Sequence, residues 1–318
     1  MMDRPKYTFC LAAWKTAFLK EMIESILNQS YTDFRLVISD DCSPEDVKGV
    51  VNLFNDKRIS YIRNQKNIGG YHLVDHWNLQ LQRDANSDYV IMASDDDVYH
   101  KDFLKNIDEL TIKHPQVDML RARCKNTDAE GVVNFVDDPS DELQNELHFA
   151  ADLYNGRHIR SFANFVFKTK TLKERGGFIF FPYAWYSDAV TTLMMAQNGV
   201  AHTLLPLFSY RGSSLAISGN ITNKSVIRGK MEATLMYYEW MNNYIKKLQY
   251  INNPLNSHYI NEVIKNFNHD AYATILSYFG AHTISEKISI YKKIKQSPFF
   301  SKASFCKELT FFYLGQII

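Results

Sequence analysis

Two apolar runs that both end in acid constrain this fold more than any other feature. In "YVIMASDDDVY", Tyr89 to Tyr99, five apolar residues lead through Ser94 into Asp95, Asp96 and Asp97. In "LVISDDCSPED", Leu36 to Asp46, a shorter run leads into Asp40 and Asp41. Apolar runs of this length without polar alternation read as strands buried on both faces. Neighbouring carboxylates repel, so a strand end holds them poorly unless a cation or a ligand compensates.

The flanking segments decide the kind of sheet. Tyr7–Ala13 reads as a first strand, followed by Phe18, Met22, Ile23, Ile26 and Leu27 at helical spacing. Residues 34–39 form the second strand. Ser43, Pro44, Glu45 and Asp46 predict a helix start with Ser43 as its N-cap. Ile59–Arg63 reads as a third strand, residues 71–82 as a helix and Tyr89–Ala93 as a fourth strand. A further helix turns Phe103, Leu104, Ile107 and Leu110 inward. This alternation predicts an α/β protein, a Rossmann-like, mainly parallel sheet with helices on both faces. Ligands of such sheets bind beyond the carboxyl ends of the strands, the edge that carries both acidic clusters.

Residues 126–135 predict a hairpin turning at Glu130-Gly131, and residues 163–167 a short strand followed by a helix that Gly176-Gly177 closes. Later segments at 231–247, 261–278 and 285–295 are helical. The chain thus divides into residues 1–218 and a C-terminal helical appendage, residues 219–318.

Lys plus Arg total 36 and Asp plus Glu 35, so bulk charge gives no attraction to nucleic acid. Four dispersed cysteines without a C-x-x-C pair argue against a disulfide framework or a structural zinc site and fit a reducing compartment. The N-terminal apolar stretch is too short and interrupted for a secretory signal, and no window is apolar enough to span a bilayer. A cytoplasmic protein is expected. Glycosylation-type triplets at Asn28, Asn220 and Asn223 then read as chance.

A hard divalent ion, Mg²⁺ or Mn²⁺, takes oxygen ligands and needs only one or two carboxylates when a diphosphate completes its shell. Asp95 and Asp96 suit that role; the alternative is a solvated loop in which Asp97 caps the next helix. A carboxylate at Asp40-Asp41 can accept a uracil imide N–H or ribose hydroxyls. Asn67-Ile68-Gly69-Gly70 reads as a phosphate-cradling loop or a flexible turn. His72 and His76, one helical turn apart, lack a third ligand and read as helix face or pocket lining.

These residues also carry a resemblance. "SILNQSYTDFRLVISDDCSPED", "NIGG", "HWNLQLQRDANSDYVIMASDDDVYHKDFL", "FANFVFKTKTLKERGGF" and "WYSDAV" together resemble the family 2 glycosyltransferases of bacterial surface-polysaccharide pathways. The match spans roughly residues 7 to 215. It implies a GT-A fold, a nucleotide-diphosphate sugar donor, a divalent metal and inversion at the anomeric carbon. By resemblance Asp41 reads the base, Asp95 meets ribose or diphosphate, Asp96 binds the metal and Asp188 is the catalytic base. Where the family's first strand ends in P-T-Y-N, this chain has Leu11-Ala12-Ala13-Trp14. Base recognition there falls to backbone groups of Leu11 and Ala13 and to Trp14. Ser94 replaces the first acid of the usual D-x-D motif. Of the family's late basic loop only "YRGSSLAIS" remains, with Arg211 to meet the diphosphate. Asn67 and Gly69 join the donor pocket. Trp77 and Trp185 read as core or pocket wall, and Trp185, next to the expected base, is the better candidate to stack on a sugar.

The resemblance further implies a saccharide or lipid-linked saccharide acceptor and work at the inner membrane face. The run "KISIYKKIKQSPFFSKASFCKELTFFYL" suits either an anionic membrane surface or a helical pack on the catalytic domain. Three alternatives stand beside transfer: a nucleotidyltransferase, for which the first strand lacks the glycine-rich basic loop; a response-regulator-like receiver, a much shorter fold whose acids belong to its first and third strands; and a catalytically degraded sugar-binding relative.

Overall fold

The computed structural model describes residues 4–212, 223–251 and 257–314. The 218/219 boundary, residues 213–218 of the late loop and the Asn220 triplet lie outside them. In chain order the elements are β1 (Tyr7–Ala13), α1 (Leu19–Leu27), β2 (Phe34–Asp40), α2 (Val47–Val51), β3 (Ile59–Arg63), α3 (Leu73–Arg83) and β4 (Tyr89–Ala93). Then come β5 (Val98–Tyr99), α4 (Phe103–Lys113), β6 (Met119–Thr127), β7 (Val133–Val136), β8 (Leu143–Gln144), α5 (Glu146–Tyr154), β9 (Phe165–Lys168) and α6 (Thr169–Glu174). The last are α7 (Ser187–Met195), β10 (Val200–Arg211), α8 (Lys224–Ile251), α9 (Ser257–Tyr278), α10 (Ile284–Lys295) and α11 (Lys302–Leu314).

Ten strands form one mostly parallel sheet in the order β3-β2-β1-β4-β9-β6-β10-β5, with β7 on β6 and β8 on β10. The longer strands β1, β2, β3, β4, β6 and β10 share one direction; β9 runs against β4 and β6. Strand alternation sorts the core. Tyr7, Phe9, Leu11 and Ala13 of β1 face α1, α2 and α4, while Cys10 faces α3 and α5. The second face also holds Tyr237, Ile245, Phe267 and Tyr272 of α8 and α9, so the C-terminal helices share that core.

Two local expectations are corrected. The N-cap of α2 is Asp46, whose carboxylate accepts the Gly49 N–H at 2.8 Å. Ser43 instead donates to the Trp14 carbonyl at 2.5 Å, tying the β2 loop to the end of β1. Asp97 does not cap α4, which begins after Asp102; its carboxylate is buried against Ser94 and the Arg211 N–H. In the C-terminal run, Phe300 and Phe305 lie against Tyr272, at 5.8 and 5.4 Å between rings, and Phe311 and Tyr313 are exposed. Among the described residues no helix is long and apolar enough to cross a membrane.

Candidate active site

The parallel strands β1, β2 and β4 end side by side, Leu11 level with Ala93 and Ala13 with Asp40. The loops beyond them frame a cleft of about 870 Å³. Asp41, Asn67, Gly69, Asp95, Asp96 and Arg211 all line it. Residues separated by as much as 170 positions in sequence are thus brought to one edge.

Asp41 is buried and saturated by its own chain. Its carboxylate accepts from Asn64 Nδ2 (2.9 Å), Asn67 Nδ2 (2.9 Å), Ile68 N (2.9 Å) and Gly69 N (2.6 Å). A Cβ on Gly69 would lie 2.7 Å from the Asp41 carboxylate, so only glycine admits this approach. Asp41 therefore shapes the 64–70 loop. Its neighbour Asp40 is wholly buried and bonded to Ser43 N, Tyr61 and Arg63.

Around Asp95 and Asp96 the compensating cation comes from the chain. Lys15 Nζ lies 3.1 Å from Asp95 Oδ1 and 3.1 Å from Asp96 Oδ2. The Trp14 and Lys15 N–H groups donate to Asp95 Oδ2 at 3.2 and 2.8 Å. Burial raises the Asp95 carboxyl above its ordinary range despite the opposing pull of Lys15. Burial, then the charge of Asp96, pushes Asp97 up to about 7.

Several expected residues sit elsewhere. The side chains of Leu11 and Ala13 point into the core and alternation along β1 turns Ala12 to the cleft; of the backbone groups expected to read the base, the Leu11 carbonyl accepts from Gln80 Nε2 and the Ala13 carbonyl from Asp41 N. Arg211 borders the cleft, but its guanidinium is bonded to Glu21 Oε2 (2.5 Å), the Asp96 carbonyl (2.9 Å) and the Ala129 carbonyl (2.6 Å). It braces the acidic loop against α1 and the β6–β7 turn. Trp185 is not a wall of the cleft: its ring lies under Lys230 at 4.5 Å and beside Tyr278 of α9. Trp14, 40% exposed, and the half-buried Trp77 are the tryptophans that line the cleft. His76 is buried with Nε2 bonded to Ser39 Oγ at 2.8 Å, and His72 pairs with Asp75 at the surface.

Asp188 occupies the first turn of α7. It lines a small cavity with Leu153, Arg160, Ser161 and Phe165, and Arg160 and Ser161 also line the main cleft. Burial raises its carboxyl above the usual range, with Arg160 opposing. The turn before it is strained: Tyr183, Ala184 and Tyr186 have φ of 58°, 55° and 69°. The C-terminal helices hold this turn. Tyr186 stacks on Tyr237 at 4.0 Å and bonds Thr274 at 2.9 Å. Tyr183 lies so close to Gly229 that a Cβ there would be 2.4 Å from its ring.

Sequence reasoning missed Lys15 and the 160–162 wall. Lys15 had a signal, a lysine two residues past a strand that ends beside two acidic ones. Arg160, Ser161 and Phe162 fall in an irregular segment with no periodicity to place them.

Residues 14–176 match the sequence profile described as "Glycosyl transferase family 2", just over half of the chain. A 100-residue stretch is 32% identical to the "Putative colanic acid biosynthesis glycosyl transferase WcaA" of Escherichia coli (strain K12). That match covers 30% of this chain and 34% of the relative, so the chain spans about a third of its length. The fold is similar to S. aureus TarS 1-349 in complex with UDP-GlcNAc, with TM-score 0.55, 15% identity and coverage of 92% of this chain and 91% of that one. It is similar also to the mannosyltransferase PcManGT from Pyrobaculum calidifontis in complex with GDP-Man and Mn²⁺, with TM-score 0.53, 14% identity and coverage of 99% and 88%. With the profile match and this GT-A architecture together, the chain belongs to glycosyltransferase family 2.

Proposed function

We propose that the protein is an inverting glycosyltransferase that moves a sugar from a nucleoside-diphosphate sugar, UDP-linked in the first instance, to a hydroxyl of a saccharide or lipid-linked saccharide in surface-polysaccharide assembly. The observation that carries this is the convergence of the acidic ends of β2 and β4 on one cleft in a family 2 chain. The UDP and GDP sugars held by the structural neighbours and the pathway of the Escherichia coli relative support the donor and acceptor classes.

Among the described residues no group of three or more His, Cys, Asp or Glu converges on a point, so those residues form no all-protein cage for a metal. One or two cleft-facing carboxylates fit a hard ion that takes the rest of its shell from phosphate and water. Asp96, with Asp95 beside it, would hold Mn²⁺ or Mg²⁺. Such an ion, when bound, neutralises charge on the departing diphosphate.

Asn67, Gly69 and Trp14 border the nucleotide, and Asp41 keeps their loop in shape. An acceptor hydroxyl between Arg160 and Ser161 meets Asp188, whose raised basicity suits it to take the proton. The acceptor oxygen bonds to the anomeric carbon as the bond to the diphosphate oxygen breaks on the opposite face, and configuration inverts. Residues 1–218 would carry the reaction, and residues 219–318 would brace the turn before Asp188. This arrangement sits at a cytoplasmic membrane face, where Phe311 and Tyr313 are exposed for contact. The test is a thermal-shift screen of UDP-, GDP- and dTDP-sugars with and without Mn²⁺, followed by a transfer assay. At least one donor is expected to raise the melting temperature and be consumed; no response to any of them overturns the reading.

A further inference from the structure

We propose that the Lys15 ammonium is the resident counter-ion of the Asp95–Asp96 pair, and that a divalent ion enters only when a donor's diphosphate draws Lys15 away. This rests on reading the cleft as the nucleotide-sugar site. Lys15 Nζ bridges the two carboxylates at 3.1 Å to each. The main chain delivers it there. The N–H groups of Trp14 and Lys15 both hold Asp95 Oδ2, and Ser43 fixes the Trp14 carbonyl. The side chain is only 22% exposed, so water screens the ammonium little.

Hard divalent ions bind carboxylate oxygen at about 2.1 Å. An ion on Asp96 Oδ2 would then lie within roughly 5 Å of the ammonium. Two cations that close in a partly buried site repel strongly, so ion and lysine compete for one pair of acids. One ammonium leaves the pair with a net negative charge. A diphosphate resolves the competition: its oxygens accept from Lys15, and the released carboxylates are then open to the ion. The order of binding follows from this, with nucleotide first or together with metal, and metal alone poorly held.

The experiment titrates Mn²⁺ into the full chain without nucleotide, followed by the loss of the free-ion electron paramagnetic resonance signal. Wild type is expected to bind weakly, Lys15→Met at least tenfold more tightly, and Lys15→Arg like wild type. Melting temperatures of both variants establish that they fold. A second arm measures UDP and GDP affinity by calorimetry in the presence of a chelator, where Lys15→Met is expected to bind at least tenfold more weakly than wild type. Added Mn²⁺ should restore most of that loss. Equal Mn²⁺ affinity in wild type and Lys15→Met, or none in either, overturns the inference. Wild type that binds no nucleotide even with Mn²⁺ would instead overturn the donor reading, so the two failures are distinguishable.

Discussion

The two edges of the cleft carry their strain in different forms. At the β1–β2–β4 edge one non-glycine residue, Cys42 after Asp41, holds a left-handed φ of 58°, and the larger cost is charge: Asp95, Asp96 and Asp97 stand together, with Lys15 set between two of them. Behind the Arg160–Ser161 wall, at the turn before Asp188, charge is paired, Arg160 with Asp270 at 3.0 Å, and what is costly is conformation. Three non-glycine residues of the turn before Asp188 hold left-handed φ, each costing on the order of 1–3 kcal/mol. Charge strain can be relieved by a ligand of opposite sign. Conformational strain must be held by neighbouring mass, and here α8 and α9 supply it through Tyr237, Thr274 and Gly229. In the proposed reading the donor edge is thereby responsive and the acceptor edge fixed.

The largest effect that would break this division is on the chemical step. Asp188→Asn keeps the shape of the α7 start but cannot take a proton, and transfer should fall about 10²- to 10⁴-fold. Donor affinity, read by calorimetry, should be unchanged, because Asp188 lies behind Arg160 and Ser161 rather than on the donor edge. A variant with near-normal turnover would remove Asp188 from the mechanism. Next is Asp41→Ala, which strips acceptors from Asn64, Asn67, Ile68 and Gly69 at once. A loss on the order of 3 kcal/mol in urea unfolding is expected, together with weaker donor binding. If donor affinity fell while stability held, Asp41 would be reading the base directly.

How much of this was legible follows the same division. The donor edge is made of strand ends, and strands buried on both faces announce themselves as apolar runs. Tyr7–Ala13 and Tyr89–Ala93 emerge with the boundaries the sequence predicts, and so does the half-buried edge strand Ile59–Arg63. Asp41, Asp95 and Asp96 follow, because a strand end fixes where its next residues point. Even there, which of Leu11, Ala12 and Ala13 faces the cleft depends on the phase of a two-residue alternation that a uniformly apolar strand conceals. The acceptor edge has no such code. Its turn is set by contacts with helices some fifty to ninety residues further on, and neither Tyr186 on Tyr237 nor Tyr183 on Gly229 leaves a local signal. Trp185 looks like a sugar platform beside Asp188 in sequence, yet the turn points it at Lys230.

A smaller effect concerns the floor beneath the 157–164 segment. His158 and His202 are buried with rings 5.4 Å apart; among the described residues neither His202 nitrogen has a hydrogen-bond partner, and Arg121 adds positive charge nearby. Burial, then Arg121, holds the basicity of both well below the usual imidazole range. The unfolded chain takes up protons near pH 6.5 that the fold refuses, so stability drops as pH falls below that value. Each histidine contributes about 1.4 kcal/mol per pH unit there. His202→Phe, which replaces an unpartnered ring with an apolar one, should lessen the fall in melting temperature between pH 6.5 and 5. An unchanged pH slope would show that His202 is not the group responsible.

The smallest expected effect is also the sharpest test of the contrast. Ala184 sits at φ 55°, where a Cβ is strained and a glycine is not. Ala184→Gly relieves on the order of 1–3 kcal/mol of strain but frees the unfolded chain by about 0.4–1 kcal/mol, which offsets part of it. Net stability should stay level or rise, by at most about 2.5 kcal/mol. What should change is order. A glycine lets the turn before Asp188 sample other conformations, so the acceptor KM should rise a few-fold while the donor KM stays put. If the donor KM moved instead, the link through Tyr71, whose ring meets Tyr183 at 5.6 Å and whose hydroxyl bonds Glu232 of α8 at 2.9 Å, would be carrying the turn's conformation to the 64–70 loop. The two edges would then be one mechanical unit, and the division between responsive charge and fixed backbone would fail.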